Sequence, residues 1–309
     1  MDTSNNTAVK AISTIFSQAK ARGTRPVSFE MFPPKGDLVL ETARTVAAQL
    51  VEYNPAFISV TCSAGGSGNG AEKTADAGGS KTVRVASMIQ DELGATSMAH
   101  LTCYNATEES LQQAIASMRS AGIRNVLALR GDPVPGVEPT AFRFAKDLIP
   151  QLKDAGFCVG AAAYPEGHIA CFDPQENIRY LKQKQDAGAD FFVTQLFFDN
   201  SVFYRFWEQA QKAGITVPIT CGIMPFLGKG QLQRMVFMCG ASLPSPIIKL
   251  LARYESNEED LLKAGLEYAG AQLADLDAHG VDGLHIYAMN RPEIAQAGTQ
   301  AIAAARSAR

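Results

Sequence analysis

A glutamate stands where a buried strand would ordinarily carry an apolar residue. Glu30 lies within Val27-Ser-Phe-Glu-Met-Phe-Pro-Pro-Lys35. Side chains alternate along a strand, so Ser28, Glu30 and Phe32 share one face, and Phe29 and Met31 share the other. Pro33 and Pro34 cannot donate to a ladder and stop the strand just after Glu30. A carboxyl group fixed there between aromatic neighbours loses water. That disfavours its charged form and raises its pKa, which is how a carboxyl becomes a general acid near neutral pH. By itself the stretch fits a glutamate paired with a lysine or arginine slightly better, because ion pairs are common.

The rest of the chain adds polar groups at the carboxyl ends of other apolar runs. They are Thr61, then His100 with Thr102, then Arg130 and Asp132 in Leu-Arg-Gly-Asp-Pro. Tyr164, Glu166 and His168 follow in Tyr-Pro-Glu-Gly-His, then Gln195, and finally Tyr287, Asn290 and Arg291. Each alone has an ordinary explanation, such as a turn former or a histidine bonded to a carbonyl. Separate explanations do not account for their recurrence on one rim, because buried polar groups are costly without partners. The set holds no Ser-His-Asp spacing. Its mixture of carboxylate, amide, guanidinium and aromatic groups suits a flat heterocycle. A carboxylate such as Asp132 and an amide such as Gln195 can bond an aminopyrimidinone edge in two-pronged fashion. A helix start near Gln175–Asn177, with Lys182 and Lys184, suits a phosphate group. The hard chemistry then belongs to a cofactor that the protein positions.

Periodicity gives the elements that must hold these groups. Short apolar runs are read at Val27–Met31, Phe57–Thr61, Ser97–Leu101, Asn125–Leu129, Cys158–Ala163, Phe191–Leu196, Pro218–Ile223 and Leu284–Ala288. Helical stretches lie between them, roughly at Leu38–Tyr53, Thr82–Leu93, Glu108–Ala121, Ala141–Ala155, Gln175–Ala187, Ser201–Ala213 and Lys229–Cys239. Gly94, Gly122, Gly156, Gly188 and Gly214 mark helix ends, and Pro292 opens a closing helix. The alternation predicts an α/β fold with parallel strands. A single (β/α)8 TIM barrel over 1–309 fits the count, with an open doubly wound sheet as the alternative. Residues 1–24 are expected to form an N-terminal helical extension, with Val9, Ile12, Ile15, Phe16 and Ala19 on one side. Pro244 to Gly280 reads as extra helices between the seventh and eighth strands. Both segments are candidate interfaces for a homo-oligomer.

The 309 residues are 46% hydrophobic and 19% charged, with a formal net charge of -3 and a pI near 5.9. No basic block points to nucleic acid, and no run of ~18 apolar residues points to a membrane span. The N-terminal residues lack a signal pattern, so a cytoplasmic enzyme is expected. The six cysteines form no C-x-x-C and the four histidines no H-x-x-x-H, so no metal site is expected and the thiols read as reduced. The Gly-, Ala- and Ser-rich segment Ser63 to Ser80 fails as a P-loop, because Glu72 precedes Lys73-Thr74 and Ser80 precedes Lys81-Thr82. It reads as a loop that can close over a ligand.

With these residues in place the chain resembles the methylenetetrahydrofolate reductase family from about Arg25 to the C-terminal helix. The matching motifs are Ser28-Phe-Glu-Met-Phe-Pro-Pro-Lys35, Ala99-His-Leu-Thr102, Ala128-Leu-Arg-Gly-Asp132, Ala163-Tyr-Pro-Glu166, Thr194-Gln-Leu-Phe-Phe-Asp199, Gly222-Ile-Met-Pro225 and Tyr287-Ala-Met-Asn-Arg291. The resemblance implies FAD in the barrel mouth and a ping-pong hydride transfer. NADH or NADPH would reduce the flavin, which would then reduce 5,10-methylenetetrahydrofolate to 5-methyltetrahydrofolate. It implies Glu30 as general acid and Asp132 at the pterin and flavin. It places Gln195, Gln231 and Arg291 on folate, and Thr61, His100, Arg130, Tyr164, His168 and Lys184 on FAD, with Gly131, Asn177 and Tyr287 nearby. Departures from the family pattern are Gly167-His168-Ile169-Ala170, Asn177 in place of an aspartate, and Met235 in place of an aromatic. The chain is expected to lack the C-terminal S-adenosylmethionine-binding domain of eukaryotic members. An electron-transfer partner protein as the reductant, or a barrel that binds folate or flavin without turnover, are the other readings.

Overall fold

The computed structural model describes residues 9–33, 39–62, 80–104, 106–132 and 141–309. The segment 63–79 of the Gly-rich stretch, with 34–38 and 133–140, lies outside the described residues. A helix, α1 (Ile12–Ala21), precedes eight repeats of strand and helix. These are β1 (Val27–Met31), α2 (Val39–Val51), β2 (Ile58–Val60), α3 (Ser80–Asp91), β3 (Ser97–Thr102), α4 (Glu108–Ser120), β4 (Asn125–Leu129) and α5 (Ala145–Asp154), followed by β5 (Cys158–Ala163), α6 (Pro174–Asp186), β6 (Phe191–Thr194), α7 (Asn200–Lys212), β7 (Ile219–Ile223) and α8 (Lys229–Cys239). Two further helices, α9 (Ser245–Arg253) and α10 (Glu258–Ala278), come before β8 (Gly283–Tyr287) and α11 (Pro292–Ser307).

Every neighbouring strand pair is parallel, and β1 pairs with β8 through Val27–Leu284 to Glu30–Tyr287, so the sheet closes. The open doubly wound sheet is thereby excluded, and the protein is a (β/α)8 barrel. The five glycines expected at helix ends, Gly94, Gly122, Gly156, Gly188 and Gly214, all have φ between 63° and 111°. That is the left-handed conformation that ends a helix and turns the chain back to the next strand.

Most strand and helix limits shift by a residue or two from expectation, and two of the differences have clear local reasons. β6 ends at Thr194 rather than Leu196. The Gln195 N–H still donates to Ala163 O at 2.7 Å, but its side-chain Oε1 takes the Leu196 N–H at 2.9 Å and breaks the ladder there. α5 begins at Ala145 rather than Ala141. Phe144 is extended, and Asp147 Oδ2 accepts the Phe144 and Arg143 N–H groups at 2.9 and 3.1 Å, capping the helix from within.

Outward strand residues such as Phe29, Met31, Val60, Ala128, Phe192 and Ile286 pack under the helices in the main core. A second apolar cluster fills one end of the barrel interior, with Ile12 and Phe16 of α1 joining Phe57, Met98, Leu127, Phe191 and Val193. The Phe16 and Phe191 rings lie 5.6 Å apart, and Gly160 leaves the space that the Phe191 ring occupies, since a Cβ there would lie 2.6 Å from it. α1 is fastened across this floor by the Ile12 N–H donating to Asn125 Oδ1 at 2.9 Å and by Asn125 Nδ2 donating to Lys10 O at 3.0 Å. α10 packs close against the segment after β7, where a Cβ on Gly265 would lie 1.9 Å from Phe226 O.

Phe16 is 3% exposed. Phe16→Ala is expected to lower the unfolding free energy by about 3–5 kcal/mol, the usual cost of emptying a buried phenylalanine site. Urea unfolding measures this. A loss below ~1 kcal/mol would show that α1 lies outside the cooperative core.

Candidate active site

Above the apolar floor the barrel interior turns polar. Ser28 and Glu30 of β1, Ser59 of β2, His100 of β3 and His285 of β8 face one another across it. Their inward positions follow from strand alternation, with Phe29, Ile58 and Ile286 turned outward into the core. Glu30 Oε2 lies 3.7 Å from His100 Nε2 and 3.8 Å from His285 Nε2. Ser59 Oγ is 2.6 Å from His100 Nε2, and Ser28 Oγ is 2.8 Å from His285 Nδ1. His285 is fully buried, and its Nε2 has no hydrogen-bond partner. The Ser28 hydroxyl is also within reach of Leu284 O at 3.3 Å, and His285 Nε2 faces the Glu30 carboxyl.

Burial is the main cause that brings His100 from its ordinary 6.5 to about 4; Glu30 opposes it and His285 adds to it. His100 is therefore a neutral imidazole at pH 7 and gives Glu30 no counter-charge. Glu30 keeps a side-chain exposure of 20%, so it meets the mouth on one side only.

The rim over this layer gathers most of the groups expected from the sequence. Tyr164 and His168 meet edge to face with ring centres 4.9 Å apart, and Lys184 Nζ lies 5.2 Å from the Tyr164 ring centre. Lys184 Nζ donates to Ala162 O at 2.8 Å. Burial, with the nearby Arg130 guanidinium, lowers the Lys184 pKa to about 8. Burial, Arg130 and Lys184 likewise lower that of His168. Burial raises Tyr164, which also senses Arg130 and Asp132. Asn177 holds the loop by donating from Nδ2 to Tyr164 O at 2.9 Å. Gly131 has φ +84°, and a Cβ there would come within 3.1 Å of Thr102, so the backbone after Arg130 lies against β3.

Across the mouth, Tyr287 donates its hydroxyl to Thr194 O at 2.6 Å. Gly222 permits this crossing, since a Cβ there would stand 2.8 Å from that hydroxyl. Burial, with Glu30 beside it, holds the Tyr287 phenol well above its ordinary range. Gln231 is fixed by the Leu227 N–H donating to its Oε1 at 2.9 Å, and its Nε2 rests against Met289 Sδ at 3.5 Å and Met224 Sδ at 3.7 Å. Met235 packs in the same apolar wall. Gln195 is half-buried at the end of β6, while Asp132 and Arg291 are exposed. Thr61 is half-buried past β2, where its carbonyl accepts the Thr82 hydroxyl at 2.8 Å.

One expectation is corrected. Lys182 does not reach the mouth, because its ammonium pairs with Asp186 one turn further along α6. Its neighbour Lys184 points inward instead. Three contributors were missed as site residues: Ser28, Ser59 and His285. Ser28 and His285 stand two positions from Glu30 and Tyr287, the spacing that places both members of each pair on one strand face. Asn290 also has a role beyond its expected place on the rim. It accepts the Phe32 N–H at 2.9 Å and donates to Phe32 O at 2.8 Å, clamping the ends of β1 and β8 together.

A family model for methylenetetrahydrofolate reductase matches residues 15–302. The Arabidopsis thaliana methylenetetrahydrofolate reductase (NADH) 1 is 35% identical over 286 residues, which cover 87% of this chain and 47% of that protein. The Escherichia coli 5,10-methylenetetrahydrofolate reductase is 33% identical over 282 residues, which cover 91% of this chain and 92% of that one. The chain spans about half the length of its plant relatives. Among solved structures, an uncharacterized protein from Clostridium thermocellum that binds two copies of 5-methyl-5,6,7,8-tetrahydrofolic acid shares the fold. Its TM-score is 0.61 at 14% identity, with 93% of this chain and 99% of that one covered.

The His100 shift carries a sign. Between about pH 6.5 and pH 4 the unfolded chain binds a proton at this imidazole and the folded chain does not. The resulting stability is complete above 6.5 and is lost as the pH falls through about 4. The native protein should lose about 3 kcal/mol more than His100→Asn across that window. Urea titrations at several pH values check this, and parallel pH profiles for the two proteins would show that His100 protonates freely in the fold.

Proposed function

The chain belongs to the methylenetetrahydrofolate reductase family, and we propose that it reduces 5,10-methylenetetrahydrofolate to 5-methyltetrahydrofolate with NADH or NADPH, through bound FAD, in two alternating half-reactions. The observation that carries this reading is the Glu30 carboxyl group at the base of a polar mouth, flanked at 3.7 and 3.8 Å by two imidazoles. A purely structural glutamate would be matched by a cation. Here the nearer imidazole is neutral at pH 7.

The rim residues fit the cofactor. Lys184, Arg130 and His168 crowd together, and Lys184 donates to a backbone carbonyl rather than to a carboxylate. Such a group favours a bound anion, which would relieve the mutual repulsion, and the pyrophosphate of FAD is one. Gly131 brings backbone close to β3, and Thr61, His100, Tyr164, Asn177 and Tyr287 complete the set that would hold the cofactor. Bound there, FAD would accept hydride from the nicotinamide and supply it to the folate carbon.

The chain's own residues do the rest. Asp132 and Gln195 would hold the aminopyrimidinone edge of the pterin, a carboxylate accepting from its donors and an amide matching its mixed edge. Gln231 would present its Nε2 donors, since its Oε1 is already occupied, and Arg291 would meet the ligand's carboxylates at the rim. Glu30 would deliver a proton to the folate ring nitrogen, opening the five-membered ring to the iminium that hydride reduces. His285 would keep Glu30 turned toward the mouth, and Ser28 would set the His285 tautomer.

Glu30→Gln keeps the shape and removes the proton. It should lower methyltetrahydrofolate formation by roughly 10²–10⁴-fold while oxidation of NADH or NADPH with an artificial electron acceptor continues near the native rate. Rapid-mixing measurements of the two half-reactions on anaerobic protein read this directly. Equal losses in both would remove the acid role from Glu30.

A further inference from the structure

Gln231 meets two sulfur atoms where an amide ordinarily meets oxygen. Its Oε1 takes the Leu227 N–H at 2.9 Å. That bond fixes the amide so that Nε2 faces Met289 Sδ at 3.5 Å and Met224 Sδ at 3.7 Å. Among the described residues no oxygen accepts from this nitrogen. A thioether is a weak acceptor. The pair therefore holds the amide in place and gives up its N–H groups readily to a stronger acceptor on a ligand.

The two sulfurs differ in access. Met224 is 5% exposed, and Met31, Met88, Met98 and Met118 are buried at least as deeply. Met289 is half-buried, in the turn after β8 where its φ is 52°. It packs against the main core on one side and against the apolar wall of Phe226 and Leu232 on the other. Asn290, which clamps Phe32, follows it directly. Met289 is thus the sulfur that a small solute reaches from the mouth, and it is also the nearer of the two to Gln231.

We propose that Met289 is a site of oxidation by peroxide, and that its sulfoxide takes hold of the Gln231 amide and withdraws it from folate. The inference rests on the reading of Gln231 as a folate contact. One oxygen atom passes from hydrogen peroxide to Sδ, the O–O bond breaks and water leaves. The sulfur is oxidised by two electrons and the peroxide is reduced by two. The product carries a polar oxygen that accepts strongly, on the atom that already faces Nε2. An N–H turned to that oxygen is lost to a ligand. The same oxygen enters an apolar wall, where a flexible thioether had packed without cost.

Brief exposure of the full chain to hydrogen peroxide tests this, ended with catalase and followed by dithiothreitol to restore oxidised cysteines. Peptide mass mapping should show sulfoxide at Met289 while Met224 remains a thioether. Met238, 62% exposed at the end of α8, should oxidise as well and measures the dose. Equilibrium dialysis with 5-methyltetrahydrofolate, without air, should show Kd raised roughly fivefold after treatment, the usual worth of one hydrogen bond. Met289→Leu keeps size and apolar character. Whatever the affinity of that variant, peroxide should leave it unchanged, whereas Met238→Leu should respond as the native protein does. Untreated protein that binds no folate overturns the reading of the mouth and this proposal with it. Untreated protein that binds, and keeps its affinity once Met289 is sulfoxide, overturns the proposal alone. So does an equal loss of affinity in Met289→Leu, or a map in which Met238 is oxidised and Met289 is not.

Discussion

A carboxylate enclosed with two imidazoles inside a parallel barrel is the constraint that the rest of the structure answers. Glu30 gains no counter-charge from His100 there, since burial keeps that ring neutral at pH 7. Such a layer is tolerable only if its other polar atoms are tied down. Ser59 and Ser28 do this, each small enough to fit inside the strand layer and each within hydrogen-bond distance of one imidazole. Larger partners would fill the space above Glu30, and apolar ones would leave two imidazoles unsatisfied. The apolar floor serves the same end. With Ile12, Phe16, Phe57 and Phe191 packed together below, the carboxyl has an apolar floor beneath it.

The two levels of the site are electrically opposite. The base holds an acid beside the neutral His100 ring, while the rim sets the Arg130 guanidinium close enough to Lys184 and His168 to lower the pKa of both. A ligand with an anionic part and a flat, protonatable part is oriented by that difference alone: its charge stays at the rim and its ring descends to Glu30. Groups on β1, β3 and β8, just past β4, β5 and β6, and on α6 contribute, so the orientation depends on barrel closure and on no single loop. That is the usual economy of a barrel, in which rigid strands set positions and the connecting segments vary.

The elements of this fold were legible in the sequence because their signals are local. Apolar runs, helix periodicity and the left-handed glycines each lie within a few residues of what they specify. Closure was expected from the strand count and the family resemblance, but no local signal carries it, since it rests on β1 meeting β8 across some two hundred and fifty residues, and an open sheet satisfies the same local pattern. The site divided in the same way. Glu30, His100, Arg130 and Gln195 announced themselves as polar residues ending apolar runs. His285 did not, because a histidine in the middle of a strand reads as core until its unpartnered nitrogen is seen facing Glu30. Lys182 and Lys184 could not be told apart by spacing, and only the placement of Asp186 on the outer face of α6 separates them.

The seam between the first and last strands shows how position is secured where the chain offers no continuity. Met289 and Asn290 take φ of 52° and 56°, a conformation that costs residues with a Cβ about 1–2 kcal/mol each. The strain turns the Asn290 amide back to hold both backbone groups of Phe32, just beyond Glu30. The same turn leads from Tyr287, bonded across the mouth to Thr194, to Arg291 at the start of α11. A relaxed turn would leave the Phe32 backbone to water and free the end of β1, with Glu30 on it. The strain at β8 is thus the counterpart of rigidity at β1, and the proton that Glu30 is proposed to deliver is aimed by a clamp at the far end of the chain.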